Sequence, residues 1–280
     1  MSPTGVRTRL TASALIERRF EVTRALIPCA GTGSRMREVA RDTPKELLPL
    51  GGKPVLEHAL RECALSYVTH AVVVVGPRKE AIIEWLVGKA GAEGFPATIT
   101  TMEQPAPRGL ADAVARAREI APTEPLALVL PSHLFRSDRP ALAQVIGSYR
   151  KSLQTVVALV EARAAIAATR AAVPVVEGTL DGEEFTFSRI PDPGVVGGQL
   201  PSGTVPLTIA GRAVLAPDAF QTVDALLRAA PPNAEVDMIP VYQKMLSRGH
   251  LAGRLVRGRF ADLSVPDGYA DAMKAFGGAP

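Results

Sequence analysis

One stretch constrains the fold of this chain more than any other: the uncharged run Ala25–Ala30, which breaks into Gly31-Thr32-Gly33-Ser34-Arg35. A run without polar alternation suits a strand covered on both faces, as in a parallel sheet. Ligands of open α/β sheets collect beyond the carboxyl ends of such strands. Glycines there let the backbone approach a ligand closely, and loop amides near a helix N-terminus offer a site for phosphate oxygens. Arg35, and Lys45 in Pro44-Lys45-Glu46-Leu47-Leu48-Pro49, bring mobile positive charge to the same place. The stretch therefore reads as a triphosphate-binding loop. For Gly-x-Gly alone, a tight strand-to-helix turn is the competing reading. The segment is not a P-loop, which needs Gly-Lys before Ser or Thr, and Met36 breaks the dinucleotide pattern G-x-G-x-x-G.

The alternation that follows extends this reading. Val55, Leu56, Ala59, Leu60, Cys63 and Ala64 repeat at helical spacing behind the turn Gly51–Pro54, with Pro54 suited to a first helical position. His70–Gly76 is a second buried strand, Pro77–Val87 a helix, Ala97–Met102 a strand, Gly109–Ile120 a helix and Pro125–Leu130 a strand. This predicts right-handed βαβ units in a Rossmann-like mixed, mostly parallel sheet flanked by helices. The glycine loop, Glu103–Gly109 and Pro131–Ser137 then converge at the strand ends. Farther on, Gln154–Glu161 reads as a strand and Leu180-Asp181-Gly182-Glu183 as a hairpin turn between Val173–Glu177 and Phe185–Ile190. Asp192–Thr204 reads as a loop and Val205–Leu215 as a strand. Asp218–Ala229 and Asn233–Arg248 read as helices, Leu251–Arg257 as a strand and Asp267–Phe276 as a terminal helix. Residues 1–23 form an extension. Residues 24–280 form a single domain, with a nucleotide-binding half (24–150) and a sugar-side half (151–280).

G-T-G-S-R-M followed by P-K-E-L-L-P resembles the signature of the sugar-phosphate nucleotidylyltransferases, and within them the bacterial UTP–glucose-1-phosphate uridylyltransferases. The resemblance runs from about Arg24 to Phe276. It implies an enzyme that joins a pyrimidine nucleoside triphosphate, UTP or dTTP, to a sugar 1-phosphate such as glucose 1-phosphate and releases pyrophosphate. By the same resemblance Arg35 and Lys45 are the catalytic cations. Ala30, Gly31, Thr32, Gly33, Ser34, Gln104 and Gly109 bind the nucleotide. Gln104 presents one donor and one acceptor to the base. For the segment holding Gln104 and Gly109, a Pro-rich turn leading into a helix cap is the competing reading. Arg189 and Glu235 are expected on the sugar-phosphate side, Asp262 as a ligand of Mg²⁺, and Gly211-Arg212 keep the family pattern.

The departures lie on the metal and sugar sides. Ser132, in Leu130-Pro131-Ser132-His133, stands where the family carries a metal-binding Asp, and a hydroxyl is a poor ligand for a hard cation. His133 does not replace it, because imidazole favours softer metals. Asp262 has a competing reading as a helix-initiating residue. Val173-Pro174 stands where a Tyr-Gly pair is expected, and Pro174 has no N–H to donate. Arg189-Ile190 replaces Glu-Lys. The alternative to an active transferase is a catalytically impaired relative that binds nucleotide or nucleotide-sugar as a regulatory or assembly protein; a third reading is a transferase of another phosphorylated acceptor.

Bulk properties exclude other classes. Across 280 residues, 32 Lys and Arg against 28 Asp and Glu give a net charge of +4. They are scattered without an aromatic series, which speaks against nucleic-acid binding. No apolar run reaches membrane-spanning length. Cys29 and Cys63 form no CxxC pair, so neither a zinc site nor a disulfide framework is expected. The expectation is a cytoplasmic protein with small-molecule partners, free of membrane, in a family that often forms homo-oligomers.

Overall fold

The computed structural model describes residues 20–121, 123–169, 174–192 and 205–276. Most of the expected N-terminal extension, residue Val173 and most of the loop 192–204 lie outside the described residues.

Strand β1 (Arg24–Cys29) leads through the glycine loop into the one-turn helix α1 (Arg37–Ala40). The two-residue strands β2 (Pro49–Leu50) and β3 (Lys53–Pro54) pair as a small hairpin ahead of α2 (Val55–Leu65). Then come β4 (His70–Val75), α3 (Glu80–Leu86), β5 (Thr98–Glu103), α4 (Leu110–Ala117), β6 (Leu126–Val129), β7 (His133–Arg136), α5 (Ala141–Ser152), β8 (Thr155–Glu161) and α6 (Ala162–Thr169). The last part comprises the hairpin β9 (Glu177–Asp181) and β10 (Glu184–Arg189), β11 (Leu207–Leu215), α7 (Ala219–Ala229), α8 (Met238–Leu246), β12 (Leu251–Leu255), β13 (Arg259–Asp262) and α9 (Pro266–Phe276).

Nine strands form one sheet in the order β5-β4-β1-β6-β11-β8-β12-β10-β9. Only β11 and β10 oppose the others, so the sheet is mixed and mostly parallel. The uninterrupted apolar run of β4 has the reason expected of it. Ala71, Val73 and Val75 enter one core, with Leu56 and Leu60 of α2 and Leu142 and Val145 of α5. Val72 and Val74 enter the other, with Val114 of α4, Phe220 of α7 and Val241 of α8. Each such side chain, fully buried, contributes roughly 1.5–3 kcal/mol of hydrophobic stabilisation. Cys29 and Cys63 are fully buried free thiols in the first core, and burial raises both pKa values. No helix among the described residues is long and apolar enough to cross a membrane.

A third, smaller core positions the site. Met36, Leu50 and Val55, all downstream of the glycine loop, pack with Leu134, Ala261 and Leu263 and with Ala272 of α9. Leu134 and Ala261 belong to an antiparallel ribbon outside the main sheet, in which β7 pairs with β13 and His133 lies opposite Asp262.

Several element boundaries differ from the sequence expectation for identifiable reasons. The helix expected over Asn233–Arg248 begins at Met238, because the Asp237 side chain accepts the Met238 N–H at 2.6 Å as an N-cap. Val236 is meanwhile bonded to the Arg108–Ala111 backbone (Val236 N to Arg108 O 2.9 Å, Ala111 N to Val236 O 3.0 Å). The expected Pro77–Val87 helix starts only at Glu80, after Arg78 in the left-handed region at φ 61°. Pro54 is the N-cap rather than the first helical residue.

Candidate active site

The three strand-end loops meet around one cavity of about 400 Å³. The glycine loop supplies Ala30, Gly31, Thr32, Gly33, Ser34 and Arg35, and Lys45 stands beside them. Gln104, Pro107 and Gly109 come from the loop after β5 and Leu110 from the start of α4; Leu130, Pro131 and Ser132 from the loop after β6; and Glu235, Asp237 and Ser264 from the second half of the chain.

Gly33 takes the left-handed conformation (φ 67°, ψ 21°), which glycine adopts without a Cβ clash. Its carbonyl accepts the Met36 N–H at 2.8 Å, opening a 3-10 turn over Ser34–Met36 that is anchored by the fully buried Met36. Only the one-turn α1 follows, so the loop's own amides, rather than the dipole of a long helix, are the donors available at this lining. Among the described residues the Thr32, Gly33 and Ser34 amides donate to no other group, and the exposed Arg35 has no carboxylate partner. The Lys45 stem lies over Gly33, where a Cβ would stand 3.6 Å from Lys45 Cδ. Its Nζ is 3.9 Å from Glu46 Oε1. Glu46 is buried, and its other oxygen takes Lys79 Nζ at 2.7 Å. Lys45 is thus packed along its stem and loosely held at its charged tip.

In the same lining, the Gln104 side chain is buried and its Nε2 donates to Gly109 O and to Asp112 Oδ2, both at 3.0 Å. Asp112 is itself held by Arg116 Nε at 2.9 Å. Both partners are acceptors, so the amide orientation is set by its surroundings. Its two donors are spent within the protein, and Oε1 is what Gln104 has left to offer a ligand. The sequence reading gave Gln104 a donor as well; the structure corrects that. Asp112 is the residue that sequence reasoning missed here, although its spacing four residues before Arg116 was a visible signal.

On the third loop, Ser132 lines the cavity and its carbonyl accepts Leu263 N–H at 2.7 Å, tying it to the β13 end. The His133 ring rests on Gly211, where an added Cβ would sit 2.8 Å from the ring, and meets Phe260 edge-on at 5.3 Å. His133 Nε2 is 3.6 Å from Asp262 Oδ2, an ion-pair rather than a hydrogen-bond distance. Asp262 Oδ1 accepts the Ser264 N–H at 2.8 Å. Burial opposes ionisation of Asp262, but His133 and Ser264 outweigh it and hold the carboxyl at a pKa of about 2.

These donors do not make a magnesium site of their own. Hard divalent cations take several oxygen ligands, and here Asp262 is already engaged and is absent from the cavity lining that holds Ser132. No group of three His, Cys, Asp or Glu able to hold a metal exists among the described residues. Glu235 joins the cavity lining. Arg189 does not: it is exposed on the β9–β10 hairpin, bonded to Glu177 at 2.8 Å, because the hairpin aims it across the strand pair. Ile190 is buried in the second core, and Pro174 is half-buried and absent from the lining. Asp237, unnoticed in the sequence because the helix was started too early, lines both this cavity and an adjoining apolar recess of about 180 Å³ bounded by Leu128, Ile209 and Tyr242.

The sequence profile described as nucleotidyl transferase matches residues 24–168. A protein of Bacillus subtilis (strain 168), provisionally named a UTP–glucose-1-phosphate uridylyltransferase, is 29% identical over 269 residues, covering 89% of this chain and 94% of its own. A protein of Staphylococcus saprophyticus named UTP–glucose-1-phosphate uridylyltransferase 2 is 27% identical, covering 71% of this chain and 73% of its own. A crystal structure of a UDP-glucose pyrophosphorylase complexed with UDP-glucose superposes with a TM-score of 0.76 at 21% identity, covering 91% of this chain and 98% of that one.

Proposed function

We propose that this chain, which belongs to the nucleotidyl transferase family, joins a pyrimidine nucleoside triphosphate, UTP or dTTP, to a sugar 1-phosphate such as glucose 1-phosphate, releasing pyrophosphate. One observation carries this reading: unspent loop amides, Arg35, Lys45 and the Gln104 acceptor all belong to one cavity lining. That set of groups suits a ligand that carries both phosphates and a base N–H. The names of the curated relatives support the choice of nucleotide and acceptor.

In such a transfer an acceptor phosphate oxygen attacks the α-phosphorus and the pyrophosphate leaves on the opposite side. The protein's work is to align the partners and to meet charge as it develops. The Thr32–Ser34 amides and Arg35 hold the β- and γ-phosphates and so the leaving group. Lys45, loosely held at its tip, turns onto the phosphate under attack. Gln104 Oε1 accepts the N3–H of uracil or thymine, and the Gly109 backbone lets the ring approach. Glu235 faces the acceptor side. We read residues 24–280 as one domain, 24–150 carrying the nucleotide and 151–280 the acceptor, in a cytoplasmic protein.

The direct test is pyrophosphate release with Mg²⁺, each common nucleoside triphosphate and a panel of sugar 1-phosphates. Release that needs both substrates supports the reading. Nucleotide binding without release favours the second reading, a catalytically impaired relative that acts as a regulatory or assembly protein. The observation behind that alternative is a lining with Ser132 in it and without Asp262, whose carboxylate is engaged by His133 and Ser264.

A further inference from the structure

Arg212, in the middle of β11, has no exposed side-chain surface. Its guanidinium donates Nε to Glu62 Oε1 at 3.0 Å and Nη2 to Glu62 Oε2 at 2.7 Å, a bidentate pair. Nη2 also donates to His133 O at 2.8 Å, and Nη1 to Leu130 O at 2.9 Å and to Gly211 O at 2.7 Å. These five bonds match the five N–H donors of arginine. Glu62 Oε1 additionally accepts the Leu142 N–H at 2.8 Å, at the start of α5. The guanidinium carbon lies 5.2 Å from the Phe135 ring centre.

This network is aimed at one place. The carbonyls of Leu130 and His133 bracket Pro131-Ser132, and Leu130, Pro131 and Ser132 line the cavity. Leu130 N in turn donates to Gly211 O at 2.9 Å, so the same carbonyl serves the loop and the guanidinium. Stability does not explain burying such a pair, since apolar residues of similar volume in its place are often as stable or more so. A planar fork that reaches one carboxylate and two separated carbonyls fixes backbone position, and lysine cannot reproduce it.

We propose that Arg212, held by Glu62, is a positioning residue that sets the Leu130–His133 loop, and with it Ser132, in the cavity lining. The assignment rests on the transferase reading for its kinetic consequence, not for its structural one.

The test uses Arg212→Lys and the double variant Arg212→Met with Glu62→Met in the full chain. Hydrogen exchange of residues 130–135, the UTP dissociation constant, and kcat and KM are measured for each. Arg212→Lys should fold, bind UTP within about threefold of the parent, and show exchange at 130–135 faster by about tenfold or more. Its kcat should fall by about tenfold or more with KM for UTP unchanged, the pattern of an interaction felt only in the transition state. The double variant should melt within a few degrees of the parent, roughly what an apolar replacement of a buried pair predicts, and show the same loop exchange and kcat loss. It also decides the matter if the lysine variant fails to fold. Unchanged exchange and kcat in a folded variant, or UTP affinity falling as far as kcat, overturns the proposal. If the parent chain releases no pyrophosphate, the transferase reading fails, and exchange at 130–135 alone decides the clamp.

Discussion

Gly109 lies so close to the backbone of Val236 that a Cβ on it would stand 2.3 Å from the Val236 carbonyl oxygen. The two segments are stapled there by Val236 N–H to Arg108 O at 2.9 Å and Ala111 N–H to Val236 O at 3.0 Å. The staple joins the Gln104 loop to the strip that carries Glu235 and Asp237. Gly109 itself sits at φ 86°, ψ 178°, a region essentially reserved for glycine. Gly109→Ala should therefore cost on the order of 1–3 kcal/mol from the backbone alone, with the clash added. A lower urea midpoint together with UTP affinity weaker by about tenfold is the expected result. A variant matching the parent in both measurements would remove the staple from the account of the site.

Asp112 fixes which way the Gln104 amide faces, since Nε2 donates to Asp112 Oδ2 at 3.0 Å. Replacing that acceptor by an amide lets Gln104 turn over and present a donor. Asp112→Asn should weaken UTP binding by about tenfold, the loss of roughly one good hydrogen bond to a buried group. It should also narrow the preference for UTP over CTP, whose N3 is an acceptor. Calorimetric titration with both nucleotides reads this out; an unchanged ratio between them would sink the orientation argument.

Much of this arrangement was legible in the sequence because it is local. The strands around the glycine loop announced themselves by uninterrupted apolar runs, and Gly31 to Arg35 with Lys45 lie within a short span. What could not be read depends on tertiary contact. The β7–β13 ribbon has four-residue strands, too short for a periodic signal, and Asp262 lies opposite His133 only through that pairing. Arg189 follows a family alignment to the sugar side, yet the β9–β10 pairing turns it onto Glu177. Arg212 kept the family pattern in sequence, but nothing there said that its partners are Glu62, the Gly211 carbonyl and two loop carbonyls.

Among the described residues Lys45 makes no ion pair closer than 3.9 Å, so its charged tip contributes little to the fold, although its stem packs over Gly33. Lys45→Ala should unfold within about 1 kcal/mol of the parent, as surface truncations do. Removing one charged group from a developing phosphate charge typically costs about 10²–10³ in turnover. Pyrophosphate release should fall by that factor with melting unchanged. Turnover within threefold of the parent would show that another group meets the phosphate under attack.

Ser132 stands in the lining with its carbonyl bound to the Leu263 amide, and that backbone bond survives any side-chain change. Ser132→Asp adds a carboxylate to a lining that already holds Glu235 and Asp237, the kind of oxygen donor a hard cation requires. Mn²⁺ titration of the protein without nucleotide should show no saturable binding for the parent and a new site for the variant. The variant's pyrophosphate release should also need less Mg²⁺ for half-maximal rate. Equal Mn²⁺ binding by both proteins would mean that the parent already holds a cation with the groups it has.

Acid stability tests the Asp262 environment directly. Its carboxyl is held at a pKa of about 2 in the fold, despite burial, by His133 and Ser264, against about 3.9 in an unfolded chain. A folded pKa below the unfolded one stabilises the protein above the unfolded value, and the gain drains away as pH falls through the folded value. The contribution is on the order of 2 kcal/mol, present at pH 5 and above, shrinking below about pH 4, mostly lost by about pH 2 and spent near pH 1. Other carboxylates titrate in the same range, Glu183 beside Arg257 and Arg254 among them, so the parent's curve alone is not diagnostic. The difference between the parent and Asp262→Asn isolates the one group. Urea midpoints of the two proteins should be well separated at pH 6 and converge as pH approaches 2. A separation that stays constant from pH 6 to pH 2 would show that the charge on Asp262 is not what His133 and Ser264 stabilise.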